Sequence, residues 1–234
     1  MASDWAASAL SWWQEAGVDT IVGETPRDWL NAVPAAAAVP APRTAAPVEA
    51  MPDRLDAFHD WLGSSDSLPF ASASAWRIAP AGDPAAGLMV LADMPGAEDA
   101  TAGRLFAGEA GALFERMLAA IGRSRETIYL ASFSPIRPAA GRLDQDSATL
   151  LTVIARHHVA LAAPRALLLF GDACARALLG EPMTAARGRW HALDTPAGPI
   201  KTLVTIRPQE LLSQPKLKTH AWADLQMVME ELKP

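Results

Sequence analysis

Three short apolar runs, 87–93, 127–134 and 166–170, alternate with segments of helical periodicity, and this alternation limits the fold more than any other feature of the chain. Each run reads as a strand covered on both faces. The helical segments expected between and after them span 109–120, 147–162 and 173–179. The first of these places Leu113, Phe114, Met117 and Leu118 on one face and stops at Gly122. A hairpin is expected over 190–206, turned at Pro196-Ala197-Gly198, with 200–206 as its strand arm. Helices over 53–62 and 221–232 open and close the body. Strands alternating with helices call for a sheet with helices on both faces. The expected fold is α/β: a three-layer α/β/α sandwich with a short, mainly parallel four-stranded central sheet.

That body is expected to span 51–234. Ahead of it, Ser3 caps an expected helix over 3–16 within an N-terminal helical segment, 1–32. Its Trp5, Ala9, Trp12, Trp13 and Ala16 form an apolar stripe suited to docking, either on the body or on a protein partner. Docking on the body is favoured, because a free tryptophan stripe is an exposed apolar patch. Prolines 34, 40, 42 and 47 interrupt residues 33–50, which read as an extended Ala/Pro-rich linker.

The net charge of −6 argues against a general nucleic-acid binder, but the charge is unevenly placed. Residues 1–60 hold nine acids and three bases, so the remainder is neutral. Within that remainder, 185–220 carries six bases against two acids, a local excess compatible with phosphate contact or with a solvated face. The single cysteine, Cys174, excludes an internal disulfide and any all-cysteine metal or iron–sulfur site within the chain. No cofactor and no metal are expected. No apolar run approaches the length of a membrane span, and Met1-Ala2-Ser3-Asp4 lacks the basic start of a secretory signal. A cytoplasmic monomer is expected.

In an open α/β sheet, ligands sit at the carboxyl ends of the strands. Four loops leave those ends: 93–108, 132–137, 171–172 and 207–212. The first is glycine-rich and runs into a helix N-terminus, an arrangement suited to anions. It has neither a Walker lysine nor dinucleotide glycine spacing, so nucleoside triphosphate binding is not expected.

The loops carry an ordered set of motifs. Ala92-Asp93-Met94-Pro95-Gly96, acids at Glu98 and Asp99, then Gly103-Arg104-Leu105-Phe106-Ala107-Gly108-Glu109-Ala110-Gly111 form the first. Residues 128–138, 164–171 and 178–180 follow, then Arg187-Gly188-Arg189-Trp190, Thr205-Ile206-Arg207-Pro208-Gln209-Glu210-Leu211-Leu212, Lys218 and Trp222-Ala223-Asp224-Leu225. Together, over about 53–230, these resemble the uracil-DNA glycosylase superfamily, in its iron–sulfur branch called family four. The resemblance implies a DNA glycosylase that flips a deaminated or damaged base, uracil or a relative, out of the duplex and excises it in base-excision repair.

The resemblance also implies roles. Phe106 would stack on the flipped base, and Leu211 would wedge into the vacated duplex. Arg104, Arg187 and Arg189 are candidate phosphate contacts, each with an equally good reading as a surface ion pair, and Gln209 lies in the same DNA-facing loop as Leu211. Four departures fall in the pocket. Ser132 replaces the asparagine that reads the base edge, Arg207 replaces the catalytic histidine, Asp93 replaces a glutamate, and Met94 replaces a small residue. Asp93 and Arg207 are the candidate catalytic pair; Phe106, Ser132 and Met94 are the candidate base-binding residues. The four cluster cysteines are absent, with Ile136 and Leu151 at two of their positions, and 59–75, where the other two would lie, contains Ser64, Ser65 and Ser67 but no cysteine.

Other residues have plainer readings. Cys174 suits a buried, inert helix thiol. His157 and His158 are adjacent on a helix, point about 100° apart and cannot form a metal pair. Glu98 and Asp99 could pair with Arg104 or position water. The expected partner is DNA, with no membrane. The alternative function is a catalytically degenerate DNA- or abasic-site-binding protein on the same scaffold. A third reading is an interaction protein recruited to a repair assembly through the tryptophan helix.

Overall fold

The computed structural model describes residues 51–233. The expected N-terminal helix and the 33–50 linker lie outside the described residues.

Six strands form one mixed sheet: β1 (Ala81–Gly82), β2 (Leu88–Ala92), β3 (Tyr129–Ser132), β4 (Ala166–Phe170), β5 (His191–Thr195) and β6 (Gly198–Thr205), in the order β1-β3-β2-β4-β6-β5. The central four are mutually parallel, in register from Val90 to Leu130 on one side and from Val90 to Leu168 and on to Leu203 on the other. β1 and β5 pair antiparallel at the two edges. The expected four-stranded sheet is thus corrected to six strands. Neither edge strand has an apolar run to announce it. β1 is two exposed residues, and β5 buries only Leu193. By contrast, every residue of β2 and β4 is buried.

The helices are α1 (Leu55–Ser64), α2 (Asp99–Ala102), α3 (Gly108–Ala120), α4 (Gln145–Ala162), α5 (Asp172–Leu179), α6 (Met183–Ala186), α7 (Pro208–Ser213) and α8 (Lys218–Glu231). α4 begins two residues before its expected start because Asp144 caps it, its carboxylate accepting the Ser147 N–H at 2.8 Å. The chain steps from β2 to β3 in one direction and from β3 across to β4 in the other. With right-handed crossovers, this reversal puts α3 and α4 on opposite faces. The packing agrees: α3 meets α7, and α8 covers β4 and β6, whereas α4 packs with α1, α5 and β5. The reversal also makes the gap between the carboxyl ends of β2 and β4 the place where a ligand crevice opens.

At the opposite end of the sheet, the Tyr129 hydroxyl lies 2.6 Å from His158 Nε2 and 2.5 Å from His59 Nε2. His158 is buried, and burial drives its pKa down to about 3. It is a packed, neutral histidine. Among the described residues, no helix is long and apolar enough to cross a membrane.

Candidate active site

The loop after β2 is organised by one buried carboxylate. Asp99, 3% exposed, accepts three backbone N–H groups: Gly96 at 2.7 Å, Ala107 at 2.8 Å and Phe106 at 3.2 Å. It therefore does not pair with Arg104, as one sequence reading allowed. The Arg125 guanidinium grips the same loop from outside, donating to the carbonyls of Leu105 at 3.0 Å and Phe106 at 2.7 Å. Held from both sides, Phe106 keeps a left-handed backbone at φ 53°, rare for a bulky residue. Gly111 makes this geometry accessible, since a Cβ there would collide with the Phe106 carbonyl oxygen.

The other loops converge on Asp93. Phe133 and Ser134 donate their N–H groups to the carbonyls of Ala92 and Asp93, extending the sheet pairing past β3. The Asp93 carboxylate accepts the Cys174 N–H at 2.8 Å through one oxygen. The other oxygen lies 3.9 Å from Arg207 Nη1, an ion pair too long for a hydrogen bond. Gly171, at φ 115°, sits between them; a Cβ there would collide with Asp93 and press on Arg207 Cδ at 2.8 Å. Asp93 is 4% exposed. Burial raises its pKa, opposed by the Cys174 N–H and by Arg207. Burial also raises the Cys174 thiol well above its ordinary value, which fits its reading as inert.

A cavity of about 290 Å³ opens beside these groups, walled by Asp93, Met94, Phe106, Arg137, Arg207 and Gln209. Phe106 borders one side from within the hydrophobic core, 2% exposed, its ring packed against Phe114 and Phe170 at centroid distances of 4.6 and 5.8 Å. Arg207 precedes α7 directly, and its Nε is buried without a hydrogen-bond partner. The cavity is therefore bordered by a core phenylalanine, a buried acid and a cation with an unpaired Nε, at the crossover reversal of the sheet. The sequence profile of the Uracil DNA glycosylase superfamily matches residues 79–226, which includes every one of these loops.

The chain belongs to the uracil-DNA glycosylase superfamily. It is also similar to a type-4 uracil-DNA glycosylase of Pyrobaculum aerophilum, 24% identical over 182 residues, which cover 74% of this chain and 92% of that protein.

The superfamily resemblance explains some expected residues, while the geometry corrects others. Asp93, Met94, Phe106, Arg207 and Gln209 meet at one cavity. Ser132 does not line it: the half-buried serine ends β3, opposite Ala92. Leu211 is not at the rim but 1% exposed, held in α7 against the α3–α8 side of the molecule. A side chain packed this way cannot serve as a wedge; the neighbouring Leu212 is only half-buried and lines a hollow beside Gly96 and Glu109. Arg187 is not left for a phosphate. Its Nη2 is 2.7 Å from the buried Asp224 carboxylate, which also accepts the Thr205 hydroxyl at 2.9 Å. Arg189 pairs with Glu181 at 2.6 Å on the surface. Arg104 is exposed.

Two residues that sequence reasoning missed belong to the site. Arg137 lines the cavity and donates to the Pro95 carbonyl at 3.0 Å, and Arg125 supports the Phe106 turn. Both appear in the sequence as ordinary surface arginines. The only hint was the place of Arg137 in a loop at the carboxyl end of β3.

The iron–sulfur cluster implied by the family-four resemblance does not fit these residues. Such a cluster takes four thiolates, and the chain has one cysteine, buried on α5 with Sγ 3.6 Å from the Leu91 carbonyl. Ile136 and Leu151, at two of the cluster positions, are buried in the hydrophobic core. Near the 59–75 segment, Arg77 donates to the carbonyls of Leu62 and Ser65, so packing and backbone hydrogen bonds knit this region.

Proposed function

We propose that this protein is a DNA glycosylase that flips a deaminated or damaged base, uracil or a relative, into the Asp93–Arg207 cavity and hydrolyses its N-glycosidic bond. The observation that carries the reading is the convergence of Asp93, Phe106 and Arg207 on one cavity at the crossover reversal. In this reading Phe106 stacks on the base. Asp93 orients the water whose oxygen bonds to the sugar C1′ as the C1′–N bond breaks. The bonding electrons leave with the base, Arg207 stabilises the charge gathering on a base oxygen, and a proton from the water ends on the base. Arg104 and Arg189 remain phosphate candidates on the exposed surface.

A second reading has its own support. Ser132 is off the cavity wall, and the cation near Asp93 is an arginine where the resembling family has a histidine. A catalytically degenerate protein that binds DNA or abasic sites would keep this scaffold. Oligonucleotides carrying uracil, hypoxanthine or xanthine, single- and double-stranded, distinguish the two when incubated with the protein and treated with alkali. Strand scission is expected under the glycosylase reading. Retarded mobility without scission on any base overturns it in favour of the binder.

Asp93→Asn tests the acid. Asparagine keeps an oxygen for the Cys174 N–H and removes the buried charge. A carboxyl raised in the folded state carries no penalty below its unfolded value, near 3.8, and the full penalty above its folded one. Stability from this group therefore falls as pH rises through that window. The variant is expected to melt higher than wild type at pH 7, with the gap closing toward pH 4, and to lose base excision. A lower melting temperature at pH 7 would show that the Arg207 pairing outweighs burial.

A further inference from the structure

We infer that Asp224, buried on α8 outside the cavity lining, is a positioning residue: through the Thr205 hydroxyl it fixes the end of β6, and so the place of the Arg207 guanidinium beside Asp93. What that place does in catalysis rests on the glycosylase reading above, whereas the placement itself is tested apart from it.

Arg207 Nε has no hydrogen-bond partner, and Nη1 stands too far from Asp93 to bond it. Among the described residues, no hydrogen bond holds this guanidinium, so its backbone places it. Downstream the backbone is fixed by α7, since Pro208 opens the helix and the Arg207 carbonyl accepts the Leu211 N–H at 3.1 Å. Upstream the fixed point is Thr205, fully buried at the end of β6. Its carbonyl accepts the Gly171 N–H at 3.3 Å, and its hydroxyl donates to Asp224 Oδ2 at 2.9 Å. Gly171 is the residue that separates Asp93 from the Arg207 stem. Thr205 therefore ties the end of β6 to the loop after β4 on one side and to α8 on the other.

Asp224 is 1% exposed, and its Oδ2 also accepts Arg187 Nη2 at 2.7 Å, while its Oδ1 is buried without a partner. A charge buried this deeply is costly, and apolar residues of similar size often stabilise a fold as well or better than a buried ion pair. What the carboxylate adds is direction: a hydrogen bond holds the Thr205 side chain at one angle, which packing alone does not. Arg187 neutralises the buried charge. The two motif segments that carry Arg187 and Asp224 thus act on the cavity without lining it.

The test uses the full chain and Thr205→Val, which removes the hydroxyl and changes no charge. Carbon-13 NMR titration of the Asp93 carboxyl, its resonance identified by its loss in Asp93→Asn, reports where Arg207 stands, because Arg207 opposes the upward pull of burial on that group. In Thr205→Val the Asp93 midpoint is expected to move up, toward that of Arg207→Ala, and in Thr205→Ser to stay with wild type. Thr205→Ala should act as valine does and guards against poor packing of the valine. On a cleavable oligonucleotide, Thr205→Val should lower the single-turnover rate about 10- to 100-fold, the size expected when a catalytic group is misplaced by about 1 Å. In an Arg207→Ala background the same change should cost no more than about twofold, because two residues that act through one group are not additive. A merely structural role for Thr205 lowers the melting temperature, leaves the Asp93 titration alone and multiplies with Arg207→Ala. If Asp93 titrates as in wild type in both the valine and alanine variants, the inference is wrong and the glycosylase reading stands. If the Asp93 midpoint moves as expected but wild type cleaves no substrate, the placement holds and the glycosylase reading falls.

Discussion

Asp99→Ala is expected to destabilise the protein by about 3–5 kcal/mol, among the largest effects of any single change in it. The carboxylate is 3% exposed and closes the turn from Gly96 to Ala107 by accepting three N–H groups. Removing it leaves three donors facing a space that water reaches poorly, each costing about 1–3 kcal/mol less what water and loop relaxation recover. It also frees Phe106 to leave its left-handed backbone, so ligand binding should weaken along with stability. Urea unfolding should show a lower midpoint with little change in slope. Asp99→Asn should fall between alanine and wild type, because it keeps one acceptor but turns an N–H₂ toward a backbone donor. A loss below about 1 kcal/mol for the alanine variant would mean that Arg125 alone holds the turn, through its bonds to the Leu105 and Phe106 carbonyls.

What the sequence made legible, and what it hid, follows from the range of each interaction. β2 and β4 are readable because they are buried on both faces and so must be apolar throughout. β5 is legible only as the first arm of the expected 190–206 hairpin, since it buries a single leucine, and β1 is not legible at all, because an antiparallel edge strand can be two exposed residues. The meeting of Asp93, Phe106 and Arg207 was legible through the family resemblance and the rule that ligands sit where strands end. The roles of Arg125 and Arg137 were not, since each acts by donating to a backbone carbonyl 19 to 42 residues away, which no local pattern encodes. Leu211 shows the opposite error. A motif match carried a wedge role onto a residue that the packing of α7 buries, while Leu212 beside it is half-buried. Arg187 shows the same for charge. An arginine in a basic stretch looks free for phosphate until the buried Asp224, 37 residues away, is found beside it.

Arg207→Ala is expected to lower the single-turnover excision rate about 10²- to 10³-fold, the usual effect of removing one donor aimed at developing negative charge. As the glycosidic bond breaks, charge gathers on a base oxygen, and a cation already in place there lowers the barrier without reorganising. Arg207 is placed to do this. Its side chain is 40% exposed, its Nη1 stands 3.9 Å from Asp93 Oδ2 without bonding it, and its Nε has no partner. An arginine locked into a tight bidentate pair would have spent those donors. A guanidinium also stays charged at any working pH, so the rate should lack the titration near neutrality that a histidine in this role would impose. The acid limb of the pH profile should instead follow Asp93, lying above the ordinary carboxylate range because burial raises that group. DNA affinity is the discriminating readout. A catalytic Arg207 leaves it nearly unchanged in the alanine variant, whereas an arginine that grips a phosphate weakens binding and flattens its salt dependence by about one counterion. Wild-type cleavage together with wild-type binding in Arg207→Ala would remove both roles and reduce the residue to a neighbour that packs over Gly171.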